Sequence, residues 1–541
     1  MKKVLLLSLS TFFFISCQQP KEAADLLVFN ATIYTVDDSQ PKAEAFAIKD
    51  DKFISVGSLE ELSKAYSFTD SVDGQGKTIV PGLIDAHCHF YGLGLQQQKV
   101  DLTGTNSYDE VLARIVDFHK KKKVSFVTGR GWDQNDWEIK EFPTKEKLDS
   151  LFPETPVAVT RVDGHAMLAN TVALDLAKIT KDTQVTGGEI IKSNGEITGV
   201  LIDNAMDLLE SIFPRPTVLE QITALKDAEK INFSYGLTTV DDAGLSPEVI
   251  VLIDSLQKAN QLKIRMYAMV SNVPSYVDHY LKKGVHKTDK LNVSSFKVYA
   301  DGALGSRGAV LKKTYSDKDD HHGAMVIGVD EFKELAKRLA GSPFQMNTHA
   351  IGDSANAVVM KTYYEVLQNK SDRRWRVEHA QVVSPEEFDI LNDNLVMSVQ
   401  PTHATSDMYW ADERLGEERI KGAYAYKQLL EKTGRIALGT DYPVENVSPF
   451  YTFYAAVARK DLKQYPAGGF QKKDALTREE TLKGMTIWAA YSNFEETEKG
   501  SITAGKFADF VILEENIMEV KEDKIPNIKV NATYVGGEKV Y

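Results

Sequence analysis

The sequence predicts an α/β fold: a (β/α)8 TIM-like barrel with an insertion after strand 1 and a small composite β-sandwich from the N- and C-terminal segments. Three observations lead there. Eight short apolar runs suited to buried parallel strands are spread over residues 79–440, helical stretches separate most of them, and the two chain ends share a strand-and-turn texture. With 541 residues, 43% hydrophobic and 26% charged, the chain is long enough for a large core domain plus a smaller one.

In chain order, Lys2 and Lys3 precede an apolar stretch at 4–15 and then Ser16-Cys17, the basic, apolar, small-residue order of an export signal. The stretch is too short to span a membrane as a mature helix. Phe14-Ile-Ser-Cys17 resembles a bacterial lipobox, with Phe14 in place of the usual leucine, and the polar residues 18–24 read as a tether. Residues 1–24 are therefore expected to be a lipoprotein signal peptide and tether. Lipidation at Cys17 would anchor an exported protein to the bacterial cell envelope, and Gln18 after the cysteine favours the outer membrane by analogy with other lipoproteins. A plain signal peptide or a buried apolar N-terminus is the alternative. Acylated Cys17 would leave Cys88 as the one internal thiol, so no intrachain disulfide is expected.

Residues 25–35 and 45–56 read as strands, the second with a polar turn at 49–52, and 508–513 and 530–541 look alike. Asn30-Ala-Thr recurs as Asn531-Ala-Thr. The sandwich is thus assigned to 25–78 and to the end of 446–541, which also carries the last barrel helices. The barrel is assigned to 79–445, with strands at 79–86, 236–241, 264–270, 294–300, 344–348, 375–378, 395–400 and 435–440. Helices are expected at 249–259, 329–340, 355–367 and 385–391 among others. The gap at about 91–235 holds strand candidates at 124–128 and 156–160 and a turn-rich 187–195, and is read as an insertion. Because catalytic groups in such barrels sit where strands end, an insertion there would roof the site.

The first barrel run closes on His87 and His89, which alternate in a strand and so can face one metal ion. Met346-Asn-Thr-His349, Arg376-Val-Glu-His379 and Ala437-Leu-Gly-Thr-Asp441 each place a further N or O donor at the end of an apolar run. Imidazole nitrogens and carboxylates bind zinc-type ions at roughly 2.0–2.2 Å. Two adjacent ions need a bridge, and the candidate is Lys297. An ammonium is no ligand, so an unmodified Lys297 would instead be structural, paired with Asp301. Cys88 should point away from the histidines. Glu378, next to His379 in the strand, is expected on the opposite side in a structural ion pair. The net charge of -13 and the absence of a basic, aromatic-interleaved stripe argue against a nucleic-acid partner.

Pro81-Gly-Leu-Ile-Asp-Ala-His-Cys-His89, Phe296-Lys-Val-Tyr-Ala-Asp-Gly-Ala-Leu-Gly-Ser-Arg307, Asn347-Thr-His-Ala-Ile-Gly-Asp353, Glu378-His-Ala-Gln381 and Gly439-Thr-Asp-Tyr-Pro443 together resemble the amidohydrolase superfamily. The resemblance is to the branch containing N-substituted formamide deformylases (amidohydrolase family 3), and it covers nearly everything after the tether. It implies His87 and His89 as metal ligands from the first strand, Lys297 carboxylated by carbon dioxide as a bridging carbamate, His349 and His379 from the fifth and sixth strands, and Asp441 from the eighth. It further implies a divalent metal pair, two zinc ions with manganese or iron as alternatives, and a small-molecule amide substrate. Metal lowers the pKa of bound water to about 7, so a metal-bound hydroxide is the expected nucleophile and Asp441 the proton shuttle. A cyclic-amide hydrolase or a deaminase of the same superfamily is a related reading, the deaminase disfavoured by Lys297. A non-catalytic metal-containing surface binding protein is the reading from a different class.

Further residues are weighed on chemistry. Trp132, in Gly129-Arg-Gly-Trp-Asp-Gln-Asn-Asp-Trp137, is expected to wall a substrate pocket or pack an insertion core. His165, in a segment that resembles one near the family's site, is expected to hydrogen-bond a carbonyl or oxyanion, with helix capping as the alternative. Arg307 would bind substrate or pair with a carboxylate. His321 and His322 are read as solvated or lid residues, and His403 as reaching the pocket edge without being a ligand. A homodimer is the assembly considered, with no sequence signal behind it.

Overall fold

Gly82 divides the first apolar run. An added Cβ at Gly82 would stand 2.2 Å from Thr238 Oγ1, so the chain passes there only without a side chain. Upstream, Thr78–Pro81 joins the sheet of the chain ends, and downstream, Leu83–Cys88 opens the barrel. The expected strand at 79–86 is therefore two strands in two sheets. The computed structural model describes residues 21–541 except 163, 165, 186, 187 and 393. Cys17 with the rest of the expected signal, and His165, lie outside the described residues.

The barrel strands are β1 (Leu83–Cys88), β2 (Leu237–Leu245), β3 (Arg265–Ser271), β4 (Leu291–Tyr299), β5 (Gln345–Ala350), β6 (Trp375–His379), β7 (Leu395–Val399) and β8 (Ile436–Leu438). Each pairs in parallel with the next. Buried on both faces, they are the apolar runs of the sequence. The ring closes where β8 meets β1. Asp441 N–H donates to the His87 carbonyl at 2.7 Å, and His89 N–H donates to the Tyr442 carbonyl at 2.8 Å. Gly439 permits this approach, since a Cβ there would lie 2.4 Å from the His87 nitrogen. Asp85 clamps the seam by accepting the Thr440 N–H at 3.0 Å and the Thr440 hydroxyl at 2.7 Å.

Helices cover the outside and begin where sequence chemistry starts them. Helix Pro247–Lys258 has proline in its first turn and Ser246 as N-cap, accepting the Val249 N–H. Val329–Ala340 and Asp353–Val366 match expected helices, whereas Pro385–Ile390 is a 3-10 turn.

Between β1 and β2, six strands form a separate sheet in the order Gly188–Ser193, Glu196–Asp203, Ala166–Ala169, Val157–Arg161, Val127–Trp132, Val100–Asp101. It has apolar clusters of its own.

The two chain ends form one sheet rather than two separate halves. Strand Glu22–Tyr34 pairs with Lys42–Lys49 along one edge, and with Tyr66–Asp73 and then Thr78–Pro81 along the other. Phe510–Leu513 and Val530–Val535 continue it from the C-terminal side. Phe46 and Phe510, three strands apart in the ladder, bring their ring centroids to 5.0 Å, so the sheet curls over one core. Strand Glu22–Tyr34 begins inside the stretch expected as tether, where Ala24 is buried. Arg265 on β3 ties barrel to sheet through Asp509, with Nε to Oδ2 at 2.6 Å and Nη2 to Oδ1 at 3.0 Å. Among the described residues no helix is long and apolar enough to cross a membrane.

Candidate metal centre

Six residues distant in sequence meet at the C-terminal mouth of the barrel. His87 is the penultimate residue of β1, one before Cys88, and is fully buried, and His89 lies just past the strand at the start of helix Phe90–Gln96. Their Nε2 atoms stand 3.7 and 3.2 Å from the same Asp441 oxygen, Oδ1. Cys88 turns away toward the Asp241 carbonyl at 3.5 Å. Lys297 on β4 places Nζ 3.0 Å from His87 Nε2 and 4.8 Å from the Tyr299 ring centre. The His379 ring lies 4.9 Å from that of His87 and 4.4 Å from that of His349. The geometry thus brings together His87, His89, Lys297, His349, His379 and Asp441.

Asp301 does not occupy Lys297. Its carboxylate accepts the backbone N–H groups of Val310, Ile351 and Gly352 at 2.8, 3.0 and 2.9 Å.

The donor set fits a divalent cation. His349 Nε2 and His379 Nδ1 are buried with no hydrogen-bond partner among the described residues, and an unsatisfied buried polar atom costs about 1–3 kcal/mol. The candidate ligand atoms of His87, His89 and Asp441 lie within 4.8 Å of one another. Neutral imidazole and carboxylate are the ligands that zinc, manganese and iron accept.

Electrostatics prepares these groups. Burial, reinforced by the Lys297 charge, lowers the imidazoles of His87 and His349 to about 4 and about 3. Burial and the neighbouring His349 take His379 down as well. Burial also lowers Lys297, to about 8, against the pull of Glu378 and Asp441. For Asp441 burial favours the neutral acid, but hydrogen bonds from His403 and His89 and the charge of His87 outweigh it and hold the carboxyl well below its usual range.

Two candidate ligand positions sit in left-handed backbone, His379 at φ 71° and Asp441 at φ 64°. Non-glycine residues held there cost on the order of 1–3 kcal/mol and concentrate at functional sites. The strand alternation at the end of β6 breaks as a result. Glu378 does form the expected ion pair, with Arg376 Nε 2.7 Å from Oε1. It also faces the centre, with Oε2 2.5 Å from His87 Nδ1. His403, on helix Pro401–Asp407 after β7, stands with Nε2 3.3 Å from Asp441 Oδ2 and Nδ1 3.1 Å from Glu445 Oε1. Its place just past the seventh strand was the one sequence signal for it.

Other expected residues lie elsewhere. The indole of Trp132 is 1% exposed in the insertion's core and donates to the Val159 carbonyl at 2.8 Å, leaving no face for a ligand. Arg307 pairs with Asp317, Nη2 to Oδ2 at 2.7 Å and Nε to Oδ1 at 3.1 Å, the carboxylate pairing that is one of its two expected uses. His321, half-buried, and His322, exposed, also contact the carbonyls of Arg307 and Leu311 at 2.9 and 3.3 Å.

Comparison with known proteins agrees with this architecture. Protein LONG AFTER FAR-RED 3 of Arabidopsis thaliana is 34% identical over 539 residues, 96% of this chain and 92% of that protein. The N-substituted formamide deformylase of Arthrobacter pascens is 26% identical over 542 residues, 95% and 97% of the two chains. The crystal structure of an uncharacterized metal-dependent hydrolase from Pyrococcus horikoshii OT3 superposes with a TM-score of 0.76 at 27% identity, over 92% of this chain and 99% of that one. A sequence profile described as the amidohydrolase family spans residues 70–541, from before the first histidine pair to the C-terminus, and the chain belongs to that family.

Proposed function

We propose that this protein hydrolyses the carbon–nitrogen bond of small non-peptide amides at a centre formed by His87, His89, His349, His379, Asp441 and a carboxylated Lys297. The observation that carries the reading is the position of Asp441. This buried carboxylate directs one oxygen at His89 and His87 and the other at His403. The residues of the centre would hold divalent cations, two zinc ions with manganese or iron as alternatives, which would supply polarisation of a carbonyl and a water pKa lowered toward about 7. Asp441 takes the proton released as the water oxygen bonds to the carbonyl carbon. It returns that proton to the nitrogen as the C–N bond breaks, because an amine leaves poorly unless protonated.

Lys297 serves as the bridge only after modification. The ammonium first gives up a proton to solvent; the Nζ lone pair then forms an N–C bond to carbon dioxide as one C–O π pair moves to oxygen, and a second Nζ proton leaves to solvent, so a cation becomes an anionic carbamate. Burial beside the imidazoles, which pulls the amine toward its neutral form, supports this step. The Arthrobacter relative's name makes N-substituted formamides the first substrates to try. Amine release from a panel of formamides and other small amides, before chelation, after it and after zinc is restored, tests the proposal. Absence of turnover by metal-loaded protein on every amide overturns it. Lipidation of Cys17 would place this chemistry on the cell envelope, which mass spectrometry of the mature N-terminus checks.

A further inference from the structure

We infer that Glu378 is a positioning residue that fixes the tautomer of His87 for cation binding, and that Arg376 and Asp241 hold it in place. The inference rests on the metal centre proposed above and adds residues outside the ligand set.

The geometry of His87 assigns its proton. Nδ1 faces the Glu378 carboxylate at 2.5 Å, and a carboxylate only accepts, so Nδ1 carries the hydrogen. A neutral imidazole with its hydrogen on Nδ1 keeps the lone pair on Nε2, the nitrogen that stands 3.0 Å from Lys297 Nζ. That lone pair points to the side where Asp441 and His89 converge. The Glu378 contact therefore selects one tautomer, the one whose free nitrogen faces the centre.

Glu378 is itself immobilised. Arg376 approaches Oε1 with Nε at 2.7 Å and Oε2 with Nη2 at 3.3 Å. From the other side Arg376 Nη1 donates to Asp241 Oδ2 at 2.8 Å and to Asn493 Oδ1 at 3.0 Å, and Nη2 donates to Ser398 Oγ at 2.9 Å. Asn493 Nδ2 in turn donates to Asp241 Oδ1 at 2.7 Å. All five side chains are fully buried. A pair serving stability alone would need only Arg376 and one carboxylate. Here the guanidinium lies between two, and the shortest contact of Glu378 goes to the imidazole. Carboxylate partners of this kind fix ring orientation and raise ligand basicity, and their loss costs about 10–100-fold in metal affinity.

The test uses the full chain stripped of metal and titrated with Zn2+ against a competing chelator dye. Glu378→Gln is expected to weaken zinc about 10–100-fold and to change the visible spectrum of the Co2+-loaded protein, with Glu378→Asp recovering part of the loss. Asp509→Asn, which disturbs a buried ion pair far from the centre, is expected to lower stability while leaving zinc affinity unchanged. Equal affinities for wild type and Glu378→Gln overturn the inference alone. A wild type that takes up no zinc overturns the proposed metal centre, and the inference with it. Should Glu378→Gln fail to fold, histidine-selective 15N NMR of wild-type apoprotein decides the matter. His87, assigned by the resonance lost in His87→Asn, must show protonated Nδ1 and unprotonated Nε2, and the opposite tautomer overturns the inference.

Discussion

His403 Nε2 stands 3.3 Å from Asp441 Oδ2, while Nδ1 of the same ring stands 3.1 Å from Glu445 Oε1. An imidazole between two carboxylates donates from both nitrogens, so it is a cation. Burial opposes the charge, but the hydrogen bonds to Asp441 and Glu445 prevail and lift His403 to about 10. His403 thereby holds the carboxylate that the proposed reaction uses. His403→Gln, which cannot donate to both acids, is expected to reduce kcat by about 100-fold, the scale of a misplaced catalytic group, with metal content retained. Steady-state kinetics beside metal analysis checks this, and parallel loss of metal would make His403 a ligand instead.

Asp441 separates chemistry from binding. Asp441→Asn keeps an oxygen in place but takes up no proton, so turnover should fall about 100- to 10,000-fold, the usual worth of a general acid–base group. Metal content should fall far less, whereas His349→Asn should lower both. Metal stoichiometry measured alongside turnover distinguishes them, and full metal loss in Asp441→Asn with no separate rate effect would refute the assignment.

Lys297 gives a prediction about reconstitution. If the amine carries carbon dioxide, apoprotein reloaded with zinc in carbon-dioxide-free buffer should regain less activity than in bicarbonate. Lys297→Met should show no such difference and should hold less metal. Identical recovery of the wild type in both buffers would remove the bridge from the mechanism.

The parts of this molecule that were legible in the sequence are those where burial dictates composition. Strands β2 to β8 appear as apolar runs because both faces are covered, and His349, His379 and Asp441 are visible because each stands at or just past the end of one. The split at Gly82 was not legible, since Thr78–Pro81 and Leu83–Cys88 are equally apolar and differ only in their pairing partners. Glu378 was misplaced because alternation assumes extended backbone, and His379 turns left-handed at φ 71°. His403 and Glu445 meet only once the loops after β7 and β8 converge. Trp132 and Trp137 flank a polar string that looks like a pocket wall, yet the insertion is large enough to have a core, and both indoles are in it.

Glu229, on helix Val218–Ser234, accepts the backbone N–H groups of Lys263 and Ile264, the latter at 2.9 Å, just before β3. Burial raises its pKa above the ordinary 4.5, and those two donors offset burial only in part. The folded state then binds the proton more tightly than the unfolded chain across the window from the ordinary carboxyl value up to the raised one. Stability from this group is greatest below that window and falls as pH rises through it. Glu229→Gln presents an oxygen to the same N–H groups and stays neutral at every pH, so its stability should fall less steeply over that range. Urea unfolding midpoints, taken from below the carboxyl pKa to neutrality for both proteins, measure the two slopes. The prediction fails if the curves run parallel, since the proton on Glu229 would then be bound equally in the folded and unfolded states.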